Sequence, residues 1–432
     1  GVPGLVRLFE AAHLAHGRLP WATLFEPAIR LAGDGFAISP RLHRLIAEDK
    51  YLKTDPAAAA YFHDASGAPL AVGSIRRNPA FAETLRRVAR QGADAFYAGP
   101  IAEAIVAAVR GAASNPGEMS LADLAGYRAK QRPVLCTLYR AWRVCGMPPP
   151  TSGGVAVLQI LGILQGFDLA ALAPDSAEAW HLIAEASRLA FADRNQFLAD
   201  ADFVPVPVDK LLAPDYLARR RGLIGPDASL GAAEPGLPVQ NGAMPVQQAP
   251  PSTSHLVVVD SAGNAVSMTA SIESAFGSRL MAAGFMLNNE LTDFSFRPEA
   301  DGRPVANRVQ GGKRPRSSMA PTVVLDGEGR LALAVGSPGG SRIIGYVVKA
   351  VIGALDWGLD IQAVIDLPNV VNRNGATDVE DGAPPALIDG LRARGQEVKV
   401  GPLDSGLHGI AVTAAGLAGG ADPRREGVAL GN

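Results

Sequence analysis

Charge is scarce in this sequence and almost balanced. Only 19% of the 432 residues are Asp, Glu, Lys or Arg, and the formal net charge is −2. That composition gives no electrostatic footprint for nucleic acid or for a membrane surface, and neither partner is expected. No apolar run approaches the ~18 residues of a membrane-crossing helix. There are two cysteines, Cys136 and Cys145, which say little about compartment. The histidines are scattered, with no HExxH and no Cys/His cluster, so no catalytic metal and no other cofactor is expected. GxxxxGK[ST] and GxGxxG are both missing, which argues against a nucleotide site. No repeat of fixed period is found. The chain starts at Gly1 without a basic-then-apolar leader, and it reads as a processed form or a piece of a longer protein.

What the sequence does have is apolar material and turn formers. It is 48% hydrophobic, with 48 Gly and 33 Pro. That is enough for a sizeable core in one large domain or two to three smaller ones. The first half reads as mostly helical. "LPWATLFEPAIRLA" places Leu24, Phe25, Ala28 and Ile29 on one helical face, and "AEAWHLIAEASRLAFADR" does the same with Leu182, Ile183, Ala186, Leu189 and Ala190. Both faces are expected to be core. "RPVLCTLYRAWRVCGM" is β-rich. A turn at Arg140–Ala141 would set Cys136 across from Cys145, leaving open a cross-strand disulfide or two buried thiols. "PPPTSGGVAVLQILGIL" turns on Pro and Gly into an apolar helix. Over about 222–252 periodicity fails and Gly, Pro, Ala and Gln accumulate, as in a flexible linker. Past it the pattern becomes β. "SHLVVVD" and "AVSMTASI" flank the turn "DSAGN", and "PTVVLD" and "LALAVGS" form a second pair. "GSPGGSRIIGYVVKAVIGAL" runs from strand through glycines into a helix.

The seam between linker and strand, Ser252-Thr253-Ser254-His255, raises a chemical possibility. A Thr hydroxyl is a weak nucleophile until a base takes its proton. If the chain were cut before Thr253, the new α-amine could be that base. A loose segment upstream tolerates such a cut, and a strand downstream fixes the nucleophile. For a lone Thr, an ordinary linker hydroxyl would be the better reading.

From Thr253 onward the sequence resembles the small subunit of the γ-glutamyltransferases. The likeness continues through "GNAVSMTASIESAFGS", "GFMLNNELTDFS", "KRPRSSMAPT", "GSPGGSRII" and "GGADPRREG", and upstream through "GVPG", "GRLPWATLFEPAIRLAGDGF", "MPPPTSGG" and "RLAFADRNQFLAD". The resemblance implies an α+β fold, the four-layer αββα sandwich of N-terminal-nucleophile (Ntn) hydrolases. It implies a precursor that cleaves itself between Ser252 and Thr253 into a large-subunit part, 1–252, and a small subunit, 253–432. The two would remain one intertwined domain and a heterodimer. It also implies a small-molecule substrate, a γ-glutamyl compound such as glutathione, whose acyl group passes from Thr253 to water or to an amine. Bacterial relatives are exported, so a periplasmic or secreted location is expected.

Further roles follow from the same resemblance. Gly339 and Gly340 would form the oxyanion hole, and Ser271 would hydrogen-bond the nucleophile. Ser317 and Ser318 would grip the substrate α-carboxylate, with Arg314 and Arg316 nearby. Glu290 and Asp293 would bind its ammonium, Asp293 most strongly. His255 is expected to support the strand start, and Asp422 and Arg424 to tether the last strands. Glu273 departs from the family, which has Asn there near the amino-acid head. A second departure is a carboxylate-pairing Arg that the family places upstream of "GVPG", expected here to be encoded before Gly1. Glu273 motivates a rival reading, a glutaryl or cephalosporin-type acylase on the same fold. The short start motivates another, an unprocessed inactive homologue.

Overall fold

The structure, a computed structural model, describes residues 1–239, 242 and 252–431. The chain forms two compact units: Gly1–Gln131 with Ile272–Glu290, and Arg132–Ser271 with Leu291–Asn432. Each unit therefore takes chain from both sides of the Ser252–Thr253 bond. Of the expected linker, residues 240–241 and 243–251 lie outside the described residues.

The first unit is helical, and its helix starts are written plainly in the sequence. Ser39-Pro40, Asp55-Pro56 and Asn78-Pro79 each open a helix. The polar side chain accepts the N–H of the third residue on, while proline's fixed φ suits the first turn and its missing N–H is no loss there. The expected face of Leu24, Phe25, Ala28 and Ile29 is broken. A 3-10 turn, Trp21–Phe25, precedes a helix that starts at Glu26 with Pro27 in its first turn. Leu24 is left 47% exposed and Ala28 is exposed too, because the change of helix type at Glu26 breaks the single stripe, while Phe25 and Ile29 stay half-buried.

The second unit is built on a six-stranded antiparallel sheet. Its strand order is Gly416–Ala421, His408–Thr413, Leu331–Gly336, Thr322–Leu325, Trp142–Gly146, Leu135–Tyr139. Val144, Val324 and Leu333 are cross-strand partners and share one face. They are buried with the helices Gly153–Leu164, Ala177–Phe197 and Ile343–Leu355. Side chains alternate across a strand, so Gly336, next to Val335, faces the other way. There it meets the second sheet, the hairpin Thr253–Val259 with Ala265–Ser271. A Cβ on Gly336 would lie 2.2 Å from the His255 ring, so only glycine lets the two sheets approach this closely. The outer face of that hairpin, with Leu256, Val258 and Val266, is exposed.

The Ala177–Phe197 helix carries the expected apolar residues inward, but its polar face is buried as well. Glu185 accepts from the Leu230 N–H at 2.8 Å, and Asp193 accepts from the Gly236 N–H at 2.8 Å. The Arg188 guanidinium donates to the Gly231 carbonyl. Residues 226–239 thus contain no helix or strand but are fastened to buried charges.

Cys136 and Cys145 face each other across the hairpin that turns at Arg140–Ala141, and they form a disulfide. The bridge closes a loop with a separation of 9 residues, for which chain entropy gives about 2–3 kcal/mol. Replacing both by Ser should lower unfolding free energy by up to that amount in a denaturant titration, and dithiothreitol should then have no further effect.

Candidate active site

The Thr253 strand begins at a buried hydroxyl. Thr253 is 8% exposed and pairs with Ser271 across the hairpin. Its Oγ1 donates to Ser271 Oγ at 3.2 Å, and Ser271 Oγ donates to the Ser252 carbonyl at 3.5 Å. The chain of hydroxyls therefore runs from the expected nucleophile to the carbonyl it would attack. The Thr253 carbonyl accepts from Arg425 at 3.3 Å.

His255 lies two residues on, inside the sheet stack. Its Nδ1 is 2.8 Å from Thr269 Oγ1. Burial, helped by the charge of His408, pushes its pKa down to about 3. At neutral pH the ring is uncharged and braces the strand. Gly336→Ala would drive a methyl into this ring. Overpacking of this kind costs about 1–3 kcal/mol, and a lowered melting temperature is the expected result.

Strand Leu331–Gly336 continues past His255 into Ser337-Pro338-Gly339-Gly340. Gly339 has φ 139° and Gly340 φ 58°, a backbone that side chains disfavour. A Cβ on Gly339 would also sit 2.6 Å from the Tyr346 ring. Below the turn, Arg373 donates to Ser341 Oγ at 2.9 Å and shares Asp378 with Arg342. These contacts tie the C-terminal side of the turn to Asp378.

Ser317 and Ser318 occupy a loop clamped from behind. The Ser317 carbonyl accepts both the N–H and the hydroxyl of Ser152, each at 2.7 Å. Ser317 Oγ accepts from the Met319 N–H at 3.1 Å. Ser318 Oγ accepts from Arg194 at 2.6 Å. Arg316 is half-buried under the end of the long helix, where it donates to the Arg194 carbonyl at 3.1 Å, and desolvation of its guanidinium pushes its pKa down to about 10. The Arg314 N–H donates to Asp200 at 2.8 Å. Asp293 is raised to about 6 by burial, against the opposing pull of Arg194 and Arg316.

The second unit thus carries Thr253 bonded to Ser271, the Gly339–Gly340 turn, and Ser318 and Asp293 under the influence of Arg194. Glu273 and Glu290 belong to the first unit. Glu290 opens the 3-10 turn that ends at Asp293. Glu273 has φ 75°, a left-handed conformation that Asn adopts far more readily than Glu. At the C-terminus Asp422 accepts from Ser405 and the Leu407 N–H, while Arg424 bridges Asp422 and Glu380. Sequence reasoning assigned no role to Arg194 or Ser152. Ser152 shows only as a hydroxyl at the head of the apolar run "TSGGVAVL", and Arg194, beside Asp193 in "RLAFADR", carries no signal of its own.

Comparison with known proteins bears on the whole chain. The family profile described as Gamma-glutamyltranspeptidase matches residues 1–432. The glutathione hydrolase proenzyme of Escherichia coli K12 is 35% identical over 444 residues, covering 98% of this chain and 73% of that protein. The acylase ACY 1 proenzyme of Pseudomonas sp. strain SE83 is 35% identical over 431 residues, covering 99% and 74%. Among solved structures, the cephalosporin acylase of Bacillus halodurans superposes with a TM-score of 0.87 at 27% identity, covering 100% of this chain and 80% of that one. The fold is that of the Ntn hydrolases.

Proposed function

Because the chain belongs to the gamma-glutamyltranspeptidase family and is an enzyme of it, we propose that it cuts itself between Ser252 and Thr253 and then acts on γ-glutamyl amides. The observation that carries this reading is the hydroxyl chain from Thr253 through Ser271 to the Ser252 carbonyl. In the first reaction Thr253 Oγ adds to the Ser252 carbonyl carbon. Ser271 supports the developing oxyanion, the C–N bond breaks, and the hydroxyl proton ends on the released Thr253 nitrogen. Water then hydrolyses the ester, leaving a Ser252 carboxylate and a free Thr253 amine. That amine is the base for the second reaction. Thr253 Oγ adds to the γ-glutamyl carbonyl, the amide C–N bond breaks, the hydroxyl proton passes through the Thr253 amine to the departing amine, and water or an amine acceptor then takes the acyl group from the ester.

The turn glycines 339 and 340 donate to the oxyanion of this second reaction. Ser317 and Ser318 hold the α-carboxylate. Asp293 holds the ammonium. The two pieces remain together because strand Thr322–Leu325, after the cut, is hydrogen-bonded to Trp142–Gly146, before it. The disulfide suits an oxidising compartment, which supports a periplasmic or secreted location. No described helix is long and apolar enough to cross a membrane.

A second reading, an acylase for glutaryl-type side chains, is favoured by Glu273. Identity does not choose between them, since the hydrolase and acylase relatives both stand at 35%. Turnover of γ-glutamyl-p-nitroanilide against glutaryl-p-nitroanilide decides. We expect at least a tenfold higher kcat/KM for the γ-glutamyl compound. The reverse order would replace this reading by the acylase.

A further inference from the structure

We infer that Arg194 is the positioning residue of the serine loop, fixing the Ser318 hydroxyl as a hydrogen donor toward a carboxylate on the acyl group. The inference rests on the proposed function only in requiring an acyl group that ends in a carboxylate, as γ-glutamyl and glutaryl groups both do.

Arg194 is 3% exposed near the end of the long helix. Its guanidinium donates to Ser152 Oγ at 2.8 Å, Asn195 Oδ1 at 3.0 Å and Ser318 Oγ at 2.6 Å. All three are neutral oxygens. Among the described residues no carboxylate forms an ion pair with it. An arginine presents donors only. A serine oxygen that accepts from it must send its own hydrogen elsewhere. Ser152 sends its hydrogen to the Ser317 carbonyl. Ser318 has no such acceptor among the described residues, so its hydrogen is left to point at a ligand. One planar fork thereby sets the direction of Ser318 and, through Ser152, the place of Ser317.

The charge balance points the same way. Two cations, the buried Arg194 and the half-buried Arg316, act on one carboxylate, Asp293. Arg316 Nε is buried without a hydrogen-bond partner. A buried guanidinium that lacks a counter-ion is destabilising, and a purely structural role would be better served by an apolar side chain. A bound carboxylate supplies the missing charge.

Lysine cannot replace the fork, since it presents a point charge rather than a planar set of donors. The test is titration calorimetry of glutarate into the matured enzyme, for wild type, Arg194→Lys, Ser318→Ala and the double variant. Wild type should bind glutarate. Each single variant should weaken binding at least tenfold, and the double should be no weaker than the worse single. In turnover, KM for carboxylate-bearing anilides should rise at least tenfold with kcat changed less than threefold, while butanoyl-p-nitroanilide, which lacks the carboxylate, is unaffected. Additive losses, equal losses on the butanoyl compound, or a wild type that does not bind glutarate would overturn the inference. If Arg194→Lys does not mature, Ser318→Ala alone decides, since unchanged glutarate affinity would also overturn it. A wild type that prefers glutaryl over γ-glutamyl anilide sinks the substrate reading and not this one.

Discussion

Thr253→Ala is expected to yield one uncut chain with no turnover, where the wild type yields two. The hydroxyl is the only atom removed that could attack the Ser252 carbonyl. Ser271 cannot substitute, because at 3.5 Å its oxygen is hydrogen-bonded to the carbonyl oxygen rather than placed against the carbon. Loss of the nucleophile removes the covalent route altogether, and in enzymes of this kind that costs on the order of 10⁴-fold or more in kcat. Thr253→Ser keeps a hydroxyl and should still cut, though with a less restrained rotamer, because it lacks the branched methyl that stiffens χ1. Intact mass of the purified full-length gene product measures this directly. Two fragments that divide between Ser252 and Thr253, lost in the Ala variant and recovered in the Ser variant, are the expected pattern. A wild type that stays in one piece would favour the unprocessed homologue and remove Thr253 from the chemistry.

Much of this site is legible in the sequence because it is local. A strand that starts at Thr253, a turn at Gly263 with φ 82°, and a glycine pair between a strand and a helix are all statements about neighbours along the chain. The pairing of Cys136 with Cys145 follows from a two-residue hairpin turn for the same reason. What stayed hidden depends on contacts between distant segments. Arg194 reaches Ser318 across 124 positions, and nothing near "FADR" announces it. Glu185, Arg188 and Asp193 sit where a helical wheel puts solvent. They are buried because residues 226–239, together with Tyr216, Gly375 and Gln396, lie against them. A period of 3.6 locates the apolar stripe but cannot tell a solvated face from one covered by irregular chain. The broken helix at Phe25 shows the opposite limit, since a 3-10 turn rotates side chains by more than a helical period allows. The substrate question has the same origin. Glu273 is visible as a departure, but whether its carboxylate meets an ammonium or excludes a carboxylate is a matter of tertiary placement.

Asp293→Asn should leave self-cleavage intact and cost about 10²–10³-fold in kcat/KM for γ-glutamyl anilide. Maturation involves Thr253, Ser271 and the Ser252 carbonyl, with no ammonium to hold. Substrate binding does involve one, and truncating one member of a buried charge pair costs about 2–5 kcal/mol. The pH dependence separates this role from a merely structural one. Burial has raised the Asp293 pKa to about 6, so below that value the carboxyl is neutral and no longer attracts a cation. The inhibition constant of free glutamate should therefore worsen as pH falls through about 6. Glutarate, which has the same carboxylates and no ammonium, should not weaken over that range. Protonating Asp293 leaves Arg194 and Arg316 unopposed, and an anion gains from that. The Thr253 amine, with an ordinary pKa near 8, contributes a separate limb to kcat but not to either inhibition constant. In the Asn variant the acid limb for glutamate should vanish while glutarate affinity holds or improves. Parallel pH profiles for the two inhibitors would show that Asp293 does not meet the ammonium, and would move that role to Glu290 or Glu273.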